Sequence, residues 1–399
     1  MTHTEERDHA QIEAIRRTLR AVREHLGLDV AFVSQFVDDR RVFLHVDTGA
    51  HGARLEVGTS GPLEGSYCHY VTTGKLPQFL PDPKQHPVSA ALPVTAELPV
   101  GTHLSVPIRF SDGRIYGTFC CFAHDVRLEI EPADLRAVEM VAALVADYLE
   151  DLERRKADKR RRRDAIEGTI HDPHGLTIVF QPLVDIVSNQ IVAVEALSRF
   201  ANGTGPERLF ADAFDVGLGV PLELKSVAAA LREFDQIPPD IRLNVNVSPD
   251  TLISGPFADM LTVVPADRLV VEVTEHAAIR DQPAVKAARE RLSALGIRIS
   301  IDDVGAGFSG LSRILDTGAD ELKMDRAIVH NVDVDPVKQA MIDAFVGFCE
   351  RTGFGLVAEG IETADELATL RSLGVALGQG YEIARPGPLD VLFAPAGDS

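Results

Sequence analysis

Apolar residues recur at alternating spacings of three and four near the start of the chain: Ile12, Ile15, Leu19, Val22 and Leu26, followed by Gly27. That period puts one apolar stripe on a helix that stops at the glycine. The stripe packs either on its own domain or on a second subunit. From Val30 to Phe122 the period shortens to that of strands. Val30–Val37 alternates loosely and is closed by Asp38-Asp39, and Arg54-Leu-Glu-Val57 follows. Leu104–Phe110 then runs into the turn Ser111-Asp112-Gly113, and Ile115–Phe122 returns as the hairpin partner. A helix begins at Pro132, since proline suits a first turn, and runs to about Leu152. Helix, antiparallel sheet, helix is the order of an α+β sensor domain over residues 1–150.

Leu135, Val138, Ala142, Val145, Leu149 and Leu152 extend a heptad-like stripe into a basic run at residues 154–163. Residues 151–164 read as a helical linker. An unbroken helix there either transmits a rotation or register shift, or serves as a solvated spacer. The basic run also suits a membrane surface or RNA, although the rest of the chain is acidic.

From residue 177 short apolar strands alternate with helical stretches, so residues 165–399 read as βα units around a largely parallel sheet. Strands are predicted near 177–184, 191–197, 241–247, 268–273, 297–301, 321–324, 355–358 and 377–381. Eight such strands suit a (β/α)8 barrel. The first connection, Ile186-Val-Ser-Asn-Gln190, is too short for a crossover helix, so the first strand must run antiparallel to its neighbour. The fold class expected is therefore an α+β sensor followed by a modified TIM barrel.

Barrel enzymes carry their chemistry at the C-terminal ends of strands. Those ends here carry Glu195, Asn246, Glu272 with Glu275, Asp302-Asp303, Lys323 with Asp325, Glu359 and Gln379. So many carboxylates on one rim repel unless cations neutralise them. The donors are oxygens with no histidine or cysteine among them, which favours Mg2+ or Mn2+ over Zn2+. Asp302-Asp303 can reach two ions from one strand end, the arrangement that activates water against a phosphodiester. Lys323 offers a fixed cation for developing phosphoryl charge. The glycine-rich Gly305–Gly310 lacks a Walker lysine in register and reads as a loop controlling the cation site.

The 399 residues allow two domains, and the net charge of -20 disfavours a general DNA or RNA binder. Cys68, Cys120, Cys121 and Cys349 make no CxxC pair, which suggests free thiols in a reducing cytoplasm. The polar N-terminus lacks a signal-peptide core, and no run is long enough for a membrane helix.

Phe180-Gln-Pro182, Glu195-Ala-Leu197 with Arg199, Asn246-Val-Ser248, Glu272-Val-Thr-Glu275, Asp302-Asp-Val-Gly305, Lys323-Met-Asp325, Ala358–Thr363 and Gln379-Gly-Tyr381 form an ordered series that resembles EAL domains over about 165–390. The N-terminal half resembles a GAF domain through Gly65-Ser-Tyr-Cys68, the Val106-Pro-Ile stretch before Asp112-Gly113, and Gly117–Phe122. The EAL resemblance implies hydrolysis of cyclic di-GMP to linear pGpG. It implies that Glu195, Asn246, Glu272 and Asp302 hold metal, and that Asp303 and Glu359 serve a second ion or the attacking water. By the same resemblance Lys323 would complete the catalytic set and Gln379 would help position water. Gln181, Leu197 and Arg199 would contact substrate, Arg199 through phosphate. Glu275 would anchor the loop after Asp303, and Asp325 would support the metal shell. It also implies a homodimer.

Phe200, Val304, Ala306, Phe308 and Ala376 depart from the family's usual residues without removing a ligand. The rival reading is a receptor that binds cyclic di-GMP without cleaving it. His171-Asp172 lacks the histidine series of another metal phosphodiesterase class, and no cyclase signature is present. The sensor's ligand stays open between a small molecule, a redox response and simple dimerisation. Cys68-His69 is read as a core or pocket cysteine rather than a bilin attachment site.

Overall fold

A computed structural model describes residues 3–50, 55–98, 100–127, 130–274, 281–304 and 319–394, with the side chains of residues 3–11, Thr274 and Asp303 set aside. Glu275 and the Gly305–Gly310 loop fall outside those residues. The chain divides into two compact units, Met1–Asp158 and Lys159–Ser399.

The first unit is built on an antiparallel sheet. Its strands are β1 (Val30–Val37), β2 (Arg40–Thr48), β3 (Ser60–Pro62), β4 (Phe79–Leu80), β5 (Thr102–Arg109) and β6 (Ile115–Ala123), in the order β3-β2-β1-β6-β5-β4. One face packs on the amphipathic helix His3–His25, whose Ile15 and Leu19 are buried with Val138, Ala142, Val145 and Leu149 of a later helix. The first apolar stripe is thus used within its own unit. The opposite face carries Tyr67, Cys68, Leu76, Leu80 and Leu92 from the segment between β3 and β5. Because successive strand residues face opposite ways, Cys120 enters the second layer and Cys121 the first, and both are fully buried.

Two expectations need correction here. Arg40–Thr48 is a strand that the sequence reading passed over, because its charged ends and half-buried pattern hide the alternation. Leu55 and Glu56, by contrast, lie outside any strand, although Leu55 still packs on the core. The β5–β6 hairpin closes as expected, with Gly113 at φ 85° and the Asp112 carboxylate accepting from the Arg114 amide.

The helix that begins at Pro132 and the helical linker expected over 151–164 are one element, which continues to His171, 40 residues in all, through the whole basic run. Intrahelical pairs such as Arg154–Glu150 and Arg163–Glu167 accompany that run.

The second unit is a closed barrel of β7 (Leu176–Asp185), β8 (Ile191–Phe200), β9 (Arg242–Val247), β10 (Leu269–Thr274), β11 (Arg298–Val304), β12 (Glu321–Met324), β13 (Gly355–Ala358) and β14 (Leu377–Gly378). β7 is antiparallel to both β8 and β14, and the remaining pairs are parallel. The reversal follows from the Asp185–Gln190 turn, where the Asp185 carboxylate accepts from the Val187 and Ser188 amides and Asn189 takes φ 56°. Leu243, Val245, Val247, Leu269 and Val271 pack with Val227, Ala230 and Leu292 of the surrounding helices. At the N-terminal end of the strands Arg242 and Arg298 both reach Glu321 at 3.1 Å, a clamp remote from the acidic rim.

Candidate active site

Strand pairing places the polar residues in register. Glu272 lies opposite Asn246, Gln181 opposite Glu195, and Met324 opposite Ala358, so Lys323 and Glu359 flank one junction. Asn244 and Asn246 are two apart on β9 and share a face, while Leu243, Val245 and Val247 pack on the helices.

Lys323 is the centre of the arrangement. It is 1% exposed, and its Nζ lies 2.9 Å from Glu272, 3.3 Å from Glu195, 2.5 Å from Glu359 and 3.8 Å from Asp302. Asn246 donates to Glu195 at 2.6 Å and Asn244 to Glu272 at 2.7 Å. Gln379 donates to Glu195 at 2.8 Å and to Gln181 at 3.0 Å, and Gln181 donates to the Ala384 carbonyl.

Four carboxylates around one ammonium carry a formal charge of -4 + 1 = -3. Burial opposes the charge of Lys323, but Asp302, Glu195, Glu272 and Glu359 together hold its pKa well above the usual lysine value. It is a fixed cation rather than a base. Burial and then the neighbouring Glu195 push Glu272 well above the ordinary carboxylate range. Burial also lifts Glu359 to about 8, against the pull of Lys323. Burial works the same way on Glu195, yet Lys323, Asn246 and Gln379 bring it below its usual value. A cluster in which some acids are forced towards protonation is one that a divalent cation would stabilise.

The amides support the same reading. The buried Oδ1 atoms of Asn244 and Asn246 and Oε1 of Gln379 find no hydrogen-bond partner among the described residues. Buried acceptors without donors carry a desolvation cost that a cation relieves. Oxygen-only donors with Asn246 beside Glu195 suit Mg2+ or Mn2+.

Two cavities share Glu195 and Asp302. The larger, of about 840 Å3, is lined also by Leu197, Arg199, Asn246, Phe210 and Pro249. The smaller, of about 470 Å3, is lined by Gln181, Asp325, Glu359, Gln379 and Tyr381. Arg199 is exposed, and one of its guanidinium nitrogens donates to the Ser198 carbonyl. Asp325 caps the short helix Arg326–Val329 by accepting from the Ala327 amide, so it holds the end of β12 in place. The backbone of Asp303 continues β11, its side chain lying outside the description, as does all of Glu275.

A family model for the EAL domain matches residues 163–386, more than half of the chain. The chain belongs to the EAL-domain family. A GAF-domain model matches residues 11–149, so a GAF unit precedes the EAL unit. A probable cyclic di-GMP phosphodiesterase of Escherichia coli, PdeN, is 31% identical over 53% of this chain and 44% of its own length. A cyclic di-GMP phosphodiesterase of Pseudomonas aeruginosa is 29% identical over 56% of this chain and 40% of its own length. The chain thus spans less than half the length of these curated relatives. Among solved structures, Klebsiella pneumoniae BlrP1, in a manganese/cy-diGMP complex, superposes with a TM-score of 0.50 at 31% identity, over 54% of this chain and 57% of that one.

Within the EAL unit the fold adds two residues that sequence reading did not single out. Asn244 buttresses Glu272, and the Asn-Val-Asn alternation of β9 was the available signal. Glu223 is buried, accepts from the Ser248 amide and hydroxyl, and so fixes the turn after Asn246. Nothing in its own helix marks it, because its partner is 25 residues away.

Proposed function

We propose that the EAL unit hydrolyses one phosphodiester of cyclic di-GMP to give linear pGpG, using two divalent cations, Mg2+ or Mn2+. The observation that carries this reading is the buried Lys323 surrounded by Glu195, Glu272, Asp302 and Glu359 beside a cavity lined by Arg199. The relatives named for this activity, and the manganese and cyclic dinucleotide bound to BlrP1, support it.

Glu195, Asn246, Glu272 and Asp302 would hold one cation, and Asp303 with Glu359 a second. Bound there, the cations would lower the pKa of water and offset charge on the phosphodiester. Arg199 and Leu197 hold the dinucleotide in the larger cavity, the guanidinium meeting a phosphate. Gln181 orients Gln379, whose carboxamide positions the attacking water. Glu359, ionised once a cation is bound beside it, would receive the water's proton, a role it would share with Asp303. Lys323 keeps its charge and stabilises phosphoryl oxygens as they gain charge. Glu275 would anchor the loop after Asp303, and Asp325, which caps the helix after β12, would steady the strand end.

The domain division proposed is a sensor over 1–150, a linker over 151–164 and the phosphodiesterase over 165–399. The helix running without interruption through the linker supports regulation of the EAL unit by the GAF unit. Among the described residues no helix is long and apolar enough to cross a membrane.

The test is incubation of the full chain with cyclic di-GMP and Mg2+ or Mn2+, followed by chromatography, beside Glu195→Ala. Linear pGpG from the wild type alone is expected. Tight nucleotide binding without product would replace hydrolysis by the receptor reading.

A further inference from the structure

A buried polar cluster lies in the GAF unit, where the hydrolytic reading makes no use of it. Cys68 stands on the helix Tyr67–Thr72, His103 on β5 and Cys120 on β6, and they are 0%, 3% and 0% exposed. The two sulfurs are 3.4 Å apart, and each residue offers a ligand atom within 4.8 Å of the other two. The Nδ1 of His103 finds no hydrogen-bond partner among the described residues. An Arg41 guanidinium nitrogen donates to Cys68 Sγ at 3.5 Å, and the hydroxyls of Ser105 and Thr118 lie 3.1 Å from Cys120 Sγ.

An apolar layer seldom tolerates such a group without a reason. Burying an imidazole with an unmatched nitrogen, beside a guanidinium aimed at a thiol, costs stability unless a partner completes the set. A disulfide between Cys68 and Cys120 would use the two sulfurs alone and give the imidazole no new partner. A metal ion uses all three.

We propose that Cys68, His103 and Cys120 form a binding site for a thiolate-seeking metal ion of the Zn2+ type. Two sulfurs and an imidazole nitrogen select borderline or soft ions and discriminate against Mg2+. Tetrahedral zinc, with Zn–S about 2.3 Å and Zn–N about 2.0 Å, places its ligand atoms roughly 3.5–3.8 Å apart. The two sulfurs, 3.4 Å apart, already sit near that separation, and the imidazole nitrogen, within 4.8 Å of both, closes on the ion as it binds. Binding forms two metal–sulfur bonds and one metal–nitrogen bond, and each thiol releases its proton to solvent. The two thiolates offset the ion's double charge, and Arg41 stays as a hydrogen-bond donor to the Cys68 sulfur. Three protein ligands leave a fourth position for water or another small molecule, as in zinc sites that exchange ligands rather than purely structural ones. The site is chemically separate from the oxygen-donor cluster of the barrel, so the two stand or fall independently.

The test loads the reduced full chain with Co2+, and separately with Zn2+, in excess Mg2+ to keep the oxygen-donor cluster occupied. A sulfur-to-cobalt charge-transfer band with a stoichiometry of one is expected, displaced by Zn2+. It should be lost in Cys68→Ser and Cys120→Ser and kept in Cys121→Ser and Cys349→Ser. X-ray absorption of the zinc-loaded wild type, which needs no variant, should show two sulfur neighbours and at least one nitrogen. A wild-type zinc shell of oxygen and nitrogen only, or a cobalt band that survives Cys68→Ser, overturns the proposal. So does recovery of the reduced protein with no thiolate-bound metal at all.

Discussion

Asn244 shows how much of the site a single side chain carries without touching substrate. It is 1% exposed and donates to Glu272 at 2.7 Å, which fixes the carboxylate that burial already disfavours. Removing a group that orients a metal-binding carboxylate lowers affinity about 10- to 100-fold. Asn244→Ala is therefore expected to weaken Mg2+ or Mn2+ binding by that factor while the chain stays folded, as calorimetric titration would read. Unchanged affinity would assign Asn244 a packing role only. Glu195, Glu272, Asp302 and Glu359 were singled out because each was expected at a strand end, and the structure brings all four around Lys323. Asn244 was not, since an amide inside a strand looks like any polar position until the register shows what it faces. Arg199 was singled out only through the resemblance to the family, and it lies exposed on the wall of the larger cavity.

At the scale of elements, the barrel's strands fall within a few residues of their predicted positions, because each is a short apolar run between clear breakers. The antiparallel first strand was legible from loop length alone. What sequence missed was β2, whose charged ends mask its alternation, and the last turns of the long helix, which runs past the expected end of the linker at 164 to His171. Its apolar stripe gives way to a charged, largely exposed surface over 153–165, so periodicity no longer marks where the helix ends. The last strand is shorter than predicted because Gly380 turns the chain tightly against Ile361. A Cβ on Gly380 would lie 2.1 Å from the Ile361 carbonyl oxygen and 2.3 Å from its nitrogen. Gly380→Ala must therefore shift the backbone next to Gln379. It is expected to lower both thermal stability and turnover, whereas Gly387→Ala, with open space at the same position, should leave both near wild type. Equal behaviour of the two variants in melting and product assays would remove Gly380 from the site's support. The Thr363 capping box with Glu366 belongs to the same scale, and Thr363→Ala should cost about 1 kcal/mol of unfolding free energy.

For the whole molecule, the acidic cluster links stability to pH and to cations. Glu359 is raised from 4.5 to about 8 and Glu272 is raised well above its usual value, so the cation-free folded state holds protons that the unfolded chain has released. Stability from these groups is full below the unfolded carboxylate pKa and is lost as pH climbs through the folded value. The slope approaches about 1.4 kcal/mol per pH unit for each such proton. In chelator the protein should lose thermal stability from pH 5 towards 8, by about that slope, and Mg2+ should remove most of the loss. A chelator-treated protein equally stable across that range would mean the carboxylates ionise freely. Two-fold association is expected as well. Met140 and Leu144, one helical turn apart, are 66% and 69% exposed, so light scattering should find a dimer that Leu144→Glu weakens. A wild-type monomer at micromolar concentration would contradict it.

The most direct test of hydrolysis by the EAL unit follows the oxygen. Cyclic di-GMP is incubated with the full chain and Mg2+ or Mn2+ in water enriched in heavy oxygen, and the product is weighed by mass spectrometry. Linear pGpG carrying a single labelled oxygen in its terminal phosphate, and none from Glu195→Ala, is the expected result. Nucleotide recovered intact after prolonged incubation with either metal, or a product without the label, would contradict it.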